Sequence, residues 1–157
     1  MMKNLFQILC GLFLVVSYSS CMHSEEDKVD VLIIGGGASG VTSGIQSARM
    51  GANTLILEES TWLGGMLTSA GVSAVDGNYR LPAGLWGEFK NRLSDYYGGL
   101  DSLKTGWVSN VLFEPSVGNK ILHEMVAAEN NLKVWKQACL EEVKRTGDEW
   151  VAKVKVE

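Results

Sequence analysis

The feature that most constrains the fold is a short apolar segment that ends in a cluster of glycines. Residues 29–34, VDVLII, are β-branched and almost wholly apolar, as in a parallel strand that is covered on both faces. Gly35, Gly37 and Gly40 then form the pattern G-x-G-x-x-G. The first glycine permits a tight turn, the second lets a pyrophosphate approach the backbone, and the third lets a helix lie close to the strand. We therefore expect a strand, a nucleotide-binding turn and a helix, in that order.

The predicted helix covers residues 39–50 and has one face made of small residues. These recur at helical spacing, beside a row of apolar residues: Gly40, Gly44, Ser47 and Gly51, next to Val41, Ile45 and Ala48. Close packing against the sheet would aim the helix N-terminus, with its free N–H groups and positive dipole end, at a phosphate. Ala38 and Ser39 lie at that end.

A second strand is predicted over residues 53–58, and it ends in Glu58. Glu58 follows Gly37 by 58 − 37 = 21 residues, which is close to the spacing of a carboxylate that binds ribose hydroxyls. Its negative charge would repel a 2′-phosphate, so an NADP-binding version is disfavoured. A strand-to-helix turn without a ligand is the structural alternative.

A second glycine pair follows in residues 59–71, ESTWLGGMLTSAG. This segment resembles the FAD-dependent oxidoreductases of the glutathione-reductase-like superfamily. The resemblance implies that FAD is the cofactor and that Gly64, Gly65 and Met66 lie along the pyrophosphate and ribityl chain. Glu59 would lie beside the ribose-binding acid. An NAD-binding protein remains the alternative.

The remaining chain continues the same pattern. We expect helices over residues 84–97 and from Glu114 onward, a third strand over residues 132–137, and a hairpin between Glu142 and Val156. The resemblance implies that the backbone around Leu140 meets the adenine ring. The periodicity of the second of these helices puts three residues on its polar, solvated side: Asn119, Lys120 and His123.

These elements define an α/β fold, a Rossmann-like FAD/NAD(P)-binding parallel sheet with a small antiparallel β layer. The resembled enzymes return to the sheet with a later Gly-Asp strand, and nothing in this sequence supplies it. We therefore interpret residues 29–157 as the N-terminal part of an FAD-binding domain that is incomplete at the C-terminus.

The N-terminus has the features of an export signal. Residues 1–21 have a short basic start at Lys3, and an apolar run of roughly 12 residues follows, which is too short to span a bilayer as a helix. The following SYSSC segment resembles the lipobox of bacterial lipoproteins, although Tyr18 stands where an aliphatic residue is usual. We expect lipidation at Cys21, with residues 22–28 as a tether, and a periplasmic or outer-membrane lipoprotein of the cell envelope. Secretion after ordinary signal cleavage is the alternative.

The overall charge argues against a nucleic-acid partner. A net charge of −4 and a pI near 5.2 remove the electrostatic basis for binding nucleic acid. No cluster of cysteine, histidine or carboxylate residues indicates a metal site. We expect an FAD-binding oxidoreductase fragment whose substrate and catalytic residues are unknown, and the alternative is a non-catalytic lipoprotein that serves as a partner-binding module.

Overall fold

A three-stranded parallel sheet forms the centre of the computed structural model, which describes residues 26–77, 79–107 and 109–157. Its strands are β1 (Val31–Ile34), β2 (Thr54–Glu58) and β3 (Leu132–Lys136), in the order β1-β2-β3. The register places Val31 beside Thr54, and Thr54 beside Leu132. The three predicted strands are confirmed, each shorter than expected by one or two residues.

Three helices form a layer on one face of this sheet, where the first and third contact its strands and the second packs on the third. They are α1 (Ala38–Arg49), α2 (Gly84–Tyr97) and α3 (Pro115–Ala127), and short 3-10 helices span Gly65–Leu67 and Leu100–Leu103. The α2 helix has the bounds predicted from its sequence. It ends at Gly98, whose φ of +79° favours glycine and stops the helix. No helix within the described residues has both the length and the apolar character needed to cross a membrane.

An antiparallel hairpin covers the other face of the sheet. It consists of β4 (Ala138–Thr146) and β5 (Glu149–Val156), joined by a two-residue turn in which Gly147 has a φ of +63°. The sequence predicted this hairpin but placed the start of its first strand at Glu142, four residues too late. The strand begins at Ala138 because Gln137, with a φ of +53°, redirects the chain as soon as β3 ends.

The two layers bury alternate side chains of β2. Ile56 packs with the helices, in a core that includes Val41 and Ile45 of α1. Leu55 and Leu57 point the other way and pack with Ala138 of the hairpin. Both apolar faces of β2 are therefore covered, one by the helices and the other by the hairpin.

The first strand is less covered than its sequence predicts. Val31, Leu32 and Ile33 are half-buried, and Ile34 is 52% exposed. Among the described residues, β1 pairs with β2 alone and so lies at the edge of the sheet. The expectation that β1 is fully covered is wrong, because in the described part of the chain β1 lies at the edge of the sheet and has a neighbouring strand on one side only.

A network of ion pairs joins the helices at the end of α1. The Arg49 guanidinium lies 2.9 Å from a carboxylate oxygen of Glu88 on α2 and 2.7 Å from one of Glu129, just after α3. Arg92 pairs with Glu88 from the next turn of α2, at 3.0 Å. The Arg49 hydrogen bond lowers the pKa of the Glu88 carboxyl, Arg92 lowers it further, and desolvation opposes them.

This network makes the stability of the fold sensitive to acid. Glu88→Gln is expected to lower the free energy of unfolding by roughly 1 kcal/mol at pH 7, since the pair is partly exposed. The folded-state pKa of Glu88 is depressed, so its contribution is present above the unfolded-state pKa and is lost as the pH falls through the folded-state value. Urea unfolding of the full chain at pH 7 and pH 3 measures the difference. Asp95→Asn, an exposed change on the same helix, is the control, and an equal loss at both pH values would contradict the assignment.

Candidate dinucleotide-binding site

The glycine turn brings α1 into direct contact with the end of β1. Gly35 has a φ of +94°, in the region that favours glycine. A Cβ placed on Gly40 would lie only 1.9 Å from the carbonyl oxygen of Gly35. One turn further along α1, a Cβ on Gly44 would lie 2.6 Å from Cδ1 of Ile56. The helix can approach the sheet this closely only because these positions carry no side chain.

Gly37 differs from these glycines because, among the residues that the structure describes, neither packing nor backbone strain requires it. Its φ of −64° and ψ of −179° suit any residue, and a Cβ built on it would have no neighbour within 4 Å. Packing and backbone strain therefore explain Gly40 and Gly35 but leave Gly37 unexplained. Open space in front of a bare backbone is what the approach of a pyrophosphate needs. The residues present thus fit a dinucleotide.

The N-terminus of α1 supplies donors at the same place. Gly37 caps the helix without a side-chain hydrogen bond, and the first turn contains no acidic residue. The N–H groups of Ala38, Ser39 and Gly40 precede the first intrahelical donor, Val41, whose N–H bonds the Gly37 carbonyl at 2.9 Å. Together with the positive end of the helix dipole, they suit an anionic ligand.

The second glycine pair lies against this turn. The N–H of Gly64 donates to the carbonyl of Gly36 at 2.8 Å, and Gly64 forms a parallel bridge with Gly37. A Cβ on Gly65 would lie 3.1 Å from Cα of Gly37. Gly64 and Gly65 both have positive φ angles, +106° and +52°. The structure therefore brings the two predicted glycine segments into backbone contact.

Two side chains that sequence reasoning missed hold the second segment in place. Oδ1 of Asn119 accepts a hydrogen bond from the N–H of Leu63 at 2.9 Å. The buried hydroxyl of Thr68 donates to the Leu63 carbonyl at 2.5 Å. No pattern in one sequence pairs Asn119 with Leu63, because they are 56 residues apart.

The prediction that Asn119, Lys120 and His123 lie on a solvated side of α3 is therefore only partly correct. Lys120 is exposed, but Asn119 and His123 are half-buried. Burial lowers the pKa of His123, and the nearby charge of Lys136 lowers it further, so the neutral imidazole is favoured. Prediction and structure differ because the 59–71 segment and the end of β3 lie close to this side of the helix.

Glu58 connects the end of β2 to the glycine turn. Its Oε2 accepts a hydrogen bond from the N–H of Gly36 at 2.7 Å, and its Oε1 accepts one from the N–H of Ser60 at 2.8 Å. A carboxylate offers about four acceptor positions, so two bonds leave capacity for hydroxyl donors. Glu58 thus orients the turn and still presents acceptors at the position predicted for a ribose.

A cavity of about 320 Å³ opens beside Glu58, at the carboxyl ends of β1 and β2. Ligands of open α/β sheets bind at this edge. Its lining combines four predicted site residues with apolar neighbours: Gly35, Glu58, Glu59 and Leu140, with Ile34, Leu57 and Ala138. The structure therefore brings Glu59 and Leu140 together with Glu58. Met66 is 68% exposed, in the 3-10 helix that follows Gly64, and does not line this cavity.

The sequence matches a known family over most of its length. The model of the family described as FAD dependent oxidoreductase covers residues 30–157. This chain therefore belongs to the FAD dependent oxidoreductases, and its cofactor is FAD. No match to the sequence is found among curated proteins. Within the described residues, no group of three histidine, cysteine or carboxylate side chains can hold a metal ion.

Solved structures share the fold at low sequence identity. AlpK aligns with a TM-score of 0.57 at 14% identity, over 84% of this chain and 28% of its own. CabE, an aromatic hydroxylase from angucycline biosynthesis, gives 0.54 at 17%, over 83% and 28%. OxyS, the anhydrotetracycline hydroxylase from Streptomyces rimosus, gives 0.53 at 13%, over 82% and 28%. The chain thus spans less than a third of the length of each of these proteins.

The glycines of the turn are expected to differ in how strongly their replacement by alanine destabilises the fold. Gly40→Ala should lower the free energy of unfolding by about 1–3 kcal/mol or more, because its methyl group collides with the Gly35 carbonyl. Gly37→Ala should lower it by at most about 1 kcal/mol, since its methyl group meets only open space and the cost is that of a poorer N-cap residue. Urea unfolding of both variants without FAD tests this, and a large loss in Gly37→Ala would show that Gly37 is needed for folding.

Proposed function

We propose that this chain binds the ADP half of FAD at the glycine turn, as the N-terminal part of a flavin-dependent oxidoreductase. The observation that carries the proposal is Gly37, a glycine that neither strain nor packing requires, placed at a helix N-terminus. A bare backbone there has a use once a pyrophosphate approaches it.

Each part of the site then has a separate role. The backbone of Gly35 and Gly37 and the N–H groups of Ala38, Ser39 and Gly40 would hold the pyrophosphate. Glu58 would accept hydrogen bonds from the ribose hydroxyls. The segment of Gly64, Gly65 and Met66 would follow the pyrophosphate towards the ribityl chain, and Glu59 and the backbone around Leu140 would enclose the adenosine. These roles are supported by the shared cavity and by the contact between the two glycine segments.

The chain's own residues supply binding and orientation. When bound, the flavin would supply the exchange of electrons or hydride with a substrate. The titratable side chains that line the cavity are Glu58 and Glu59. Glu58 accepts hydrogen bonds from two backbone N–H groups, so its role in the cavity is that of a hydrogen-bond acceptor. We assign no catalytic residue and no substrate.

FAD titration of the full chain tests the proposal. FAD fluorescence is expected to change on binding, NAD is expected to compete poorly, and Gly37→Ala should weaken FAD binding about tenfold by placing a methyl group in the path of the phosphate. If the wild-type chain bound no FAD, the proposal would fail and a non-catalytic partner-binding module would be favoured.

A second variant tests the role of Glu58. Glu58→Gln keeps one carbonyl acceptor but loses the negative charge, so FAD affinity should fall by about tenfold, the loss of one charged hydrogen bond. Glu142→Gln, an exposed change on β4, should leave FAD affinity unchanged and is the matched control. Equal affinity for FAD in Glu58→Gln and wild type would remove Glu58 from the site.

We further propose that the protein is an exported lipoprotein of the cell envelope, processed at Cys21. The sequence supports this through the apolar run of residues 5–16 and the small residues before Cys21, all of which lie outside the described residues. A tether of seven residues, 22–28, reaches about 23 Å at most, so a lipid on Cys21 would hold the domain near the membrane. With its acidic composition, the domain would depend on the lipid itself for attachment.

Mass spectrometry of the mature protein tests this processing. The N-terminal peptide is expected to begin at Cys21 and to carry acyl chains, and the protein should fractionate with membranes. Cys21→Ser should remove the acylation site, so that the protein carries no acyl chain and is not cleaved before residue 21, with folding unchanged. A mature N-terminus at another residue, without acylation, would support ordinary signal cleavage instead.

A further inference from the structure

A second cavity, of about 540 Å³, lies beside α2, away from the residues that line the FAD site. Its lining residues come from the segment before α2, from α2 itself and from the two segments that follow it: Tyr79, Arg80, Pro82, Lys90, Asn91, Leu100, Lys104, Asn110 and Val111. We propose that it binds a small organic acid, with the carboxylate held by a cluster of cationic side chains and the apolar body held by the rest of the lining.

The charge of the lining is of one sign. Arg80, Lys90 and Lys104 line the cavity together with the amides of Asn91 and Asn110, and no aspartate or glutamate is among the lining residues. Lys104 pairs with Asp101 at 2.9 Å, but Asp101 is itself almost fully exposed to solvent. Nε of Arg80 donates a hydrogen bond to the hydroxyl of Tyr79 at 3.2 Å, and this hydroxyl carries no charge. The cavity therefore attracts an anion.

Lys90 gives this cluster a fixed position. The residue is only 7% exposed, and its ammonium donates to the carbonyls of Tyr79 at 2.7 Å and Leu81 at 2.9 Å. An ammonium has three donors, so these bonds leave one. No carboxylate pairs with Lys90 anywhere in the part of the chain that the structure describes. A buried charge without a counter-charge is costly, and an incoming carboxylate would supply one.

The rest of the lining indicates an organic acid rather than a bare inorganic anion. Pro82, Leu100 and Val111 contribute apolar surface, and the volume lies within the roughly 300–1,000 Å³ of small-molecule sites. A phosphate ion would occupy the cationic end and leave this apolar surface uncovered. A molecule with a carboxylate at one end and a short hydrocarbon body would use both parts.

The proposal is tested with hexanoate as the probe. Hexan-1-ol, which has the hydrocarbon body without the charge, and inorganic phosphate, which has the charge without the hydrocarbon body, are the comparison ligands. Saturation-transfer NMR on the full chain is expected to show hexanoate binding. Hexan-1-ol and inorganic phosphate should each bind at least about tenfold more weakly, since each lacks one of the two contacts. The tryptophan fluorescence should respond as well, because the Lys90 ammonium lies 5.9 Å from the ring centre of Trp86.

Variants separate the site from a general effect of charge. Arg80→Met and Lys104→Met, both exposed positions, should each weaken hexanoate binding several-fold without unfolding the protein. Lys90→Met should abolish binding, and its circular dichroism shows whether the fold is kept. Lys153→Met, which removes an exposed cation from β5, should have no effect and is the matched control.

Three results would overturn the proposal. They are hexan-1-ol binding as tightly as hexanoate, phosphate competing as well as hexanoate, and equal losses in Lys153→Met and the cavity variants. The titration is run without FAD and repeated with saturating FAD. Hexanoate binding that persists in a chain unable to bind FAD would leave this proposal standing while the FAD proposal fails.

Discussion

The contact between the first turn of α1 and the end of β1 underlies the rest of the site. The absence of a side chain at Gly40 lets the helix lie against the Gly35 carbonyl, and Gly44 continues the approach over Ile56. In this position the helix N-terminus faces the open space in front of Gly37. The N–H of Gly36 also reaches the carboxylate of Glu58. A side chain at either packed glycine would move the helix and separate the free N–H groups of its first turn from the Glu58 carboxylate.

Much of this arrangement could be predicted because it depends on local rules. The glycine spacing, the small face of α1 and the acid 21 residues after Gly37 are contained within residues 29–58. The α2 helix was located to the residue, since an apolar period ends at Gly98, where a left-handed backbone stops the helix. In each case the information that determines the structure lies within a few turns or one strand–helix–strand unit.

The remaining features depend on contacts between distant parts of the chain. Asn119 accepts a hydrogen bond from the N–H of Leu63, and the amide of Asn131 donates to the carbonyls of Ala48 and Ala52. In the sequence alone, each of these asparagines is typical of a polar surface position. The half-buried state of His123 and the exposure of Ile34 likewise depend on what packs beside them. The burial of such positions can be assigned only from the tertiary structure. Sequence periodicity indicates which residues share a face of a helix or strand, but it does not indicate what packs against that face.

The cavity beside Glu58 draws on both ends of the described chain. Gly35 and Leu140 line it together although they are separated by 140 − 35 = 105 residues. The nucleotide turn is therefore synthesised early, but the wall opposite it exists only after the hairpin has folded onto the sheet. A ligand that needs both walls binds the assembled domain and not its first half, so binding would stabilise the finished fold by mass action. If the chain crosses a membrane unfolded, this cavity would form only on the far side, and it could be filled only by a ligand that is present there.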